Sequence, residues 1–126
     1  MILSPQSSDR ILLLAPHPDD ETLAVGGLLQ QAVQAGARVR VVYVTDGENN
    51  PWAQRANERR WTIGAADRLR WCVRRRAEAL AALAVLGIEP EHAVFLGFPD
   101  QRLTDRLLAG DLALGNRLVQ ELASFG

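Results

Sequence analysis

The run Ile11-Leu12-Leu13-Leu14-Ala15 is apolar throughout, with no alternation, and it ends against Pro16-His17-Pro18-Asp19-Asp20-Glu21. A strand with one wet face alternates, so a short continuous run points to a strand covered on both faces, as in a parallel sheet. Parallel neighbours need helical crossovers. From Glu21 to Ala35, Leu23, Val25, Leu28, Leu29, Ala32 and Val33 recur at helical spacing, and Gly36 ends that helix. Val39 to Thr45 is β-branched and aromatic, closed by the turn pair Asp46-Gly47. Arg68 to Leu86 carries an apolar face and stops at Gly87, Ala93 to Phe98 reads as a third strand, and Asp105 to Ala123 as a third helix weakened by Gly110 and Gly115. This order predicts an α/β, Rossmann-like three-layer fold with a parallel β-sheet, one domain spanning 1–126. Residues 48–67 show no sustained period and read as a long excursion with room for a helical turn.

Such a sheet binds its ligand beyond the carboxyl ends of the strands. The polar clusters fall there: His17 to Glu21 after the first strand, Thr45 to Glu48 after the second, and Pro99-Asp100 after the third. A glycine-rich G-x-G-x-x-G turn is missing after the first strand, which argues against a nicotinamide cofactor. The chain has no apolar run near the roughly 20 residues that span a bilayer. The start Met1-Ile-Leu-Ser-Pro lacks the basic residues and cleavage site of a signal peptide, so a cytoplasmic location is expected. The lone Cys72 has no partner for an internal disulfide and reads as an ordinary helix residue.

The net charge of −1 conceals an asymmetry. All fourteen basic residues are arginine, and eight lie between Arg55 and Arg76 against only Glu58 and Asp67. A basic face on a neutral protein fits a small anionic ligand or a membrane surface, and nucleic acid is not expected as a partner. Trp52, Trp61 and Trp71 interleave with these arginines. They could form a sugar platform, a lid or an interfacial surface with peripheral membrane contact, or two of them could cover the edge of the core.

In the His17 to Glu21 cluster, Pro18 favours an extended His17, and one aspartate could cap the following helix. Capping needs only one carboxylate, however, and three consecutive acids repel one another unless a cation offsets them. Histidine and aspartate three residues apart across a turn can reach one metal ion, with donors that suit Zn²⁺.

Taken together, His17-Pro-Asp-Asp-Glu21, Gly26-Gly27, Thr45-Asp-Gly-Glu48, Arg75-x-x-Glu78-x-x-x-Ala82-x-x-x-Leu86-Gly87 and Phe95-Leu-Gly-Phe-Pro-Asp100 resemble the N-terminal portion of the LmbE-like, or PIG-L-like, N-deacetylases. The resemblance implies a zinc-dependent hydrolase that removes an N-acetyl group from an amino-sugar (glucosaminyl) conjugate, a small-molecule or lipid-linked substrate. By motif position, His17 and Asp20 correspond to metal ligands, Asp19 to the catalytic general base, and Arg75 and Asp100 to substrate-binding residues. Glu21 is expected to support the helix or orient the loop.

Members of that family are longer and draw a third ligand from a downstream histidine motif, so the chain is expected to be an incomplete N-terminal half. Its only other histidine, His92, precedes the third strand, at the wrong end of the sheet. An N-terminal half would leave the first strand with an unpaired edge, a surface for homo-oligomer formation. Against the substrate roles stand simpler ones: an Arg75–Glu78 helix pair, a turn aspartate at Asp100, and close helix packing at Gly26-Gly27. The competing function is a non-catalytic Rossmann-like module that binds an anionic glycan or phosphate through the arginines.

Overall fold

A computed structural model describes residues 3–126. Met1 and Ile2, part of the N-terminal segment read above for a leader, lie outside the described residues. The elements run β1 (Arg10–Ala15), α1 (Asp20–Gln34), β2 (Arg38–Thr45), α2 (Pro51–Glu58), α3 (Ala65–Val85), a 3₁₀ turn (Pro90–His92), β3 (Ala93–Phe98), α4 (Leu103–Leu108) and α5 (Ala113–Phe125). The three strands pair in parallel in the order β1-β2-β3.

Side chains alternate across β2, and this alternation creates the layers. Val39, Val41 and Tyr43 join Leu29 and Ala32 of α1 and Ala79 and Leu83 of α3 in one core. On the opposite face Arg40 reaches α5, donating to Ser124 Oγ at 2.7 Å, with its guanidinium 4.9 Å from the centre of the Phe125 ring. The Rossmann-like three-layer expectation is therefore met. Cover on β1 is less complete than its apolar run implied: Leu14 is 45% exposed, because β1 is an outer strand of the sheet among the described residues.

Three further expectations need correction. The excursion after β2 contains a genuine helix, α2, with Pro51 at its first turn and Asn50 Oδ1 accepting from the Ala53 amide at 3.2 Å. The single last helix is two, α4 and α5, separated at Gly110, whose φ of 79° ends the first. Gly26-Gly27 are not there for close packing either. A methyl group at Gly27 would meet nothing within 4 Å, and the pair follows Val25, where α1 leaves helical angles (φ −140°, ψ 17°).

Leu83 is fully buried between α3 and the sheet. Leu83→Ala is expected to lower the unfolding free energy by about 2–5 kcal/mol, measured by chemical denaturation.

Candidate active site

Parallel pairing brings the carboxyl ends of β1, β2 and β3 to one edge, where a cavity of about 690 Å³ opens. His17, Asp19, Asn50, Trp52, Trp71, Arg75 and Asp100 are among its walls. The turn after β1 is fastened to β2 by Thr45, whose amide and hydroxyl both donate to the Pro16 carbonyl at 3.0 Å. Gly47 turns the chain after β2 at φ 66°, and a methyl group there would lie 3.5 Å from the Arg75 Nη2 and 3.6 Å from the His17 ring.

His17 and Asp100 meet across the sheet. His17 Nε2 lies 2.9 Å from Asp100 Oδ1, and Asp100 is nearly buried. The Asp100 amide donates to Glu48 Oε1 at 2.8 Å, and the Asn49 amide approaches Asp100 Oδ2 at 3.4 Å. Asp100 is thus more than a turn residue, since its carboxylate orients the imidazole. On the other side of the ring, Nδ1 lies 3.4 Å from Asp20 Oδ2, an oxygen that also accepts the His17 amide at 3.0 Å.

The shorter contact assigns the Nε2 proton to the bond with Asp100. In the neutral ring this leaves the Nδ1 lone pair beside a carboxylate oxygen, two electron-pair donors that attract only a proton or a cation between them. A metal-ligating histidine commonly gives its other N–H to a carboxylate. The His17–Asp20 donor set therefore fits a cation. Among the described residues no group of three His, Cys, Asp or Glu side chains converges as a metal site, and His92 sits in the 3₁₀ turn before β3, away from the cleft.

Asp19 occupies the N-cap of α1 without capping it. Its backbone is left-handed (φ 116°, ψ −28°), strained for a residue with a side chain by about 1–3 kcal/mol. Its carboxylate is half exposed, with Oδ2 3.3 Å from Arg75 Nη2, and Arg75 also donates to the Pro18 carbonyl. The simpler Arg75–Glu78 pairing does not occur, because Glu78 pairs with Arg74 at 2.9 Å.

The structure also resolves the basic window. Arg60, Arg70, Arg74, Arg75 and Arg76 all meet a carboxylate, so most of the apparent positive face is neutralised within the fold. The Arg76–Asp46 pair is bidentate at 2.8 and 2.7 Å, and it raises the Arg76 pKa. The tryptophans divide unevenly: Trp71 is buried, whereas Trp52 at the cleft rim and Trp61 beyond it are exposed, so only one covers the core. Burial raises the Cys72 thiol pKa, consistent with an inert helix residue.

A Rossmann-like domain with a His-Asp pair and a half-exposed aspartate beside its strand ends belongs to the class of α/β folds whose ligands bind at the sheet's carboxyl edge. The family described as PIG-L: GlcNAc-PI de-N-acetylase matches residues 12–124, and the chain belongs to this family. The 1D-myo-inositol 2-acetamido-2-deoxy-alpha-D-glucopyranoside deacetylase of Mycobacterium sp. (strain KMS) is 41% identical over 95 residues, 71% of this chain and 28% of the relative. The deacetylase of the same description from Gordonia bronchialis is 36% identical over 109 residues, 82% of this chain and 36% of the relative. The chain thus spans about a third of the length of these curated relatives.

Among solved structures, N,N'-diacetylchitobiose deacetylase from Pyrococcus horikoshii aligns with a TM-score of 0.60 at 24% identity, covering 75% of this chain and 31% of that one. The 4-carboxy-2-hydroxymuconate hydratase of Pseudomonas putida aligns with a TM-score of 0.61, also at 24% identity, covering 74% and 35%. These two likenesses concern the fold.

Arg70 ties α2 to α3, bonding Glu58 at 2.6 Å and Asp67 at 2.8 Å. The Arg70 bond holds the Glu58 carboxyl below its usual range, and the Gly64 amide, followed by Arg70, does so for Asp67. Depressed folded values mean that this tie is fully present above the ordinary carboxylate range. It is lost as pH falls from there through the folded values. Hydrogen exchange of α2 amides, measured against falling pH and corrected for intrinsic rates, is expected to show opening in that window. Arg70→Ala should remove this acid-dependent step.

Proposed function

We propose that this chain carries the base and two metal ligands of a zinc-dependent N-deacetylase acting on an amino-sugar conjugate, with a glucosaminyl unit linked to an inositol or lipid as the substrate class. The observation that carries the reading is the His17 Nδ1–Asp20 Oδ2 juxtaposition beside a carboxylate, Asp19, that caps nothing and lines the cavity. Membership of the family and the activity named for its curated relatives support the choice of reaction.

His17 and Asp20 would hold the ion. Bound there, zinc supplies Lewis-acid polarisation of the acetamide carbonyl and acidifies water. Asp19 accepts the proton of the attacking water on a carboxylate oxygen and returns it to the departing amine nitrogen, so that amide and water become free amine and acetate. Asp100 keeps the imidazole oriented through Nε2, and its second oxygen is the one available to a sugar hydroxyl. Arg75 lies across the cavity wall and holds the Asp19 turn, with a guanidinium fork suited to hydroxyls or phosphate.

Two ligands make a poor zinc site, so the 126 residues alone are expected to bind zinc weakly or not at all; in a longer form that supplies a third ligand, His17→Ala is expected to abolish zinc uptake, measured by elemental analysis after zinc loading and dialysis. Asp19→Asn should retain the metal while losing about 10²–10⁴-fold in turnover of an N-acetylglucosaminyl-inositol probe. Zinc content unchanged in His17→Ala would overturn the ligand assignment. Arg75→Ala is expected to raise KM more for a phosphorylated or lipid-linked amino sugar than for free N-acetylglucosamine, in steady-state assays of both. Equal losses would remove the anionic-substrate role.

A further inference from the structure

Glu21 is the most deeply buried acid of the site, 1% exposed, and the proposed reaction gives it no task. Burying a carboxylate is costly unless donors surround it. Here Oε2 accepts the Asp19 amide at 3.0 Å and Oε1 accepts the Thr22 hydroxyl at 3.0 Å, at the N-terminal end of α1 where negative charge is favoured. Behind it stands Tyr43, fully buried and stacked on Phe95 at 4.7 Å between ring centres. Burial and the Glu21 charge keep its phenol protonated.

We propose that Glu21 is the positioning residue for Asp19: its carboxylate clamps the Asp19 amide, holds that residue left-handed, and thereby turns the Asp19 side chain out of its capping position and into the cleft. The catalytic half of this inference rests on the reading of Asp19 as the proton acceptor; the backbone half does not.

In the reciprocal capping arrangement, the N-cap side chain bonds an amide of the first turn while an acid of that turn bonds the N-cap amide. Only the second half exists here. Asp19 gives its carbonyl to the Thr22 and Leu23 amides, at 3.1 and 3.0 Å, and its amide to Glu21, so both ends of its peptide environment are gripped. Its carboxylate makes no cap bond and lies 3.3 Å from Arg75 instead. An N-cap residue normally adopts extended angles, which fold its side chain over the helix end. At φ 116° that geometry is lost, and strain of this kind persists only where surrounding bonds over-determine it. A role confined to helix stability would be met more cheaply by Asp19 capping its own helix.

The test follows amide hydrogen exchange in the isotopically labelled protein, alongside turnover. In the unsubstituted chain the Asp19 amide is expected to be protected. Glu21→Met keeps the length and burial of the side chain but has no carboxylate acceptor, and should speed Asp19 exchange about tenfold or more while the Leu83 amide keeps its protection. Glu21→Gln retains a carbonyl acceptor and should restore the slow exchange. In turnover of the same inositol-linked probe, Glu21→Met should lower kcat about 10²-fold with KM nearly unchanged, and Glu21→Gln should rescue it.

Free exchange at Asp19 in the unsubstituted chain, or unchanged exchange in Glu21→Met, would overturn the proposal. So would a loss confined to KM. Should Glu21→Met fail to fold, Thr22→Val removes only the hydroxyl that fixes Oε1: faster Asp19 exchange supports the clamp, and unchanged exchange overturns it. Absence of turnover in the unsubstituted, zinc-loaded protein counts against the deacetylase reading alone, and the exchange pattern then decides the backbone hold.

Discussion

Parallel pairing of three strands is the constraint from which the site follows. Because β1, β2 and β3 run the same way, the residues after each arrive at one edge, although they are separated by 30 to 80 positions of chain. The β1–β2 register is unbroken from Arg10↔Arg38 to Ala15↔Tyr43, which delivers the Pro16 carbonyl to Thr45. The β2–β3 register slips by one residue between Tyr43↔Phe95 and Thr45↔Phe98. Side chains alternate between faces with a period of two, so an extra residue reverses the face on which everything beyond it projects. The irregularity lies just before Asp100, whose carboxylate reaches His17 on β1's side of the cleft. A local defect in the ladder thus contributes to the site's geometry.

The strands and the two long helices were legible because burial imposes a period on their residues. The unalternating Ile11–Ala15 run marked a parallel strand, and the Leu80, Leu83 and Leu86 spacing marked α3. The excursion hid α2 for a physical reason. Its inner side is anchored by a polar residue, Gln54, fully buried and donating to the Asp67 carbonyl at 2.6 Å, so no apolar stripe announces it. Asn50-Pro51 is a cap followed by a first-turn proline, but the same dipeptide also opens turns, and local sequence alone does not separate the two. The last helix was overextended because Gly110 was counted as a weakness when its positive φ makes it a stop.

At the site, residue types and their spacing were readable, and tertiary partners were not. His17 and Asp20 are neighbours in sequence, so their approach across one turn followed from local geometry. The Asp100 bond to His17 spans 83 positions and depends on strand order and on the slip in β3. Arg76–Asp46 is of the same kind: a tandem of arginines gives no sign of which will face the sheet edge. The net charge of the 55–76 window was an unreliable guide because charge counting ignores pairing, and the acids that neutralise Arg74, Arg75 and Arg76 all lie outside that window.

Three consecutive acids in a cleft would repel one another if they were equivalent, and the fold prevents this by giving each a different partner. Glu21 turns inward to the Asp19 amide, Asp20 bonds the His17 amide, and Asp19 faces Arg75. Two of the three charges are therefore spent on backbone N–H groups at a helix N-terminus, where negative charge is favoured. They fix the loop whether or not anything is bound in the cleft. The balance is incomplete at one point only among these contacts: Asp20 shares its oxygen between an amide and the Nδ1 edge of an imidazole whose proton is committed to Asp100. That edge has two electron-pair donors 3.4 Å apart, and the left-handed turn at Asp19 leaves the third carboxylate within the same cleft but outside the pair. A single short turn thus gives three adjacent carboxylates three different surroundings: one buried against a backbone amide, one beside an imidazole, and one half exposed next to a guanidinium.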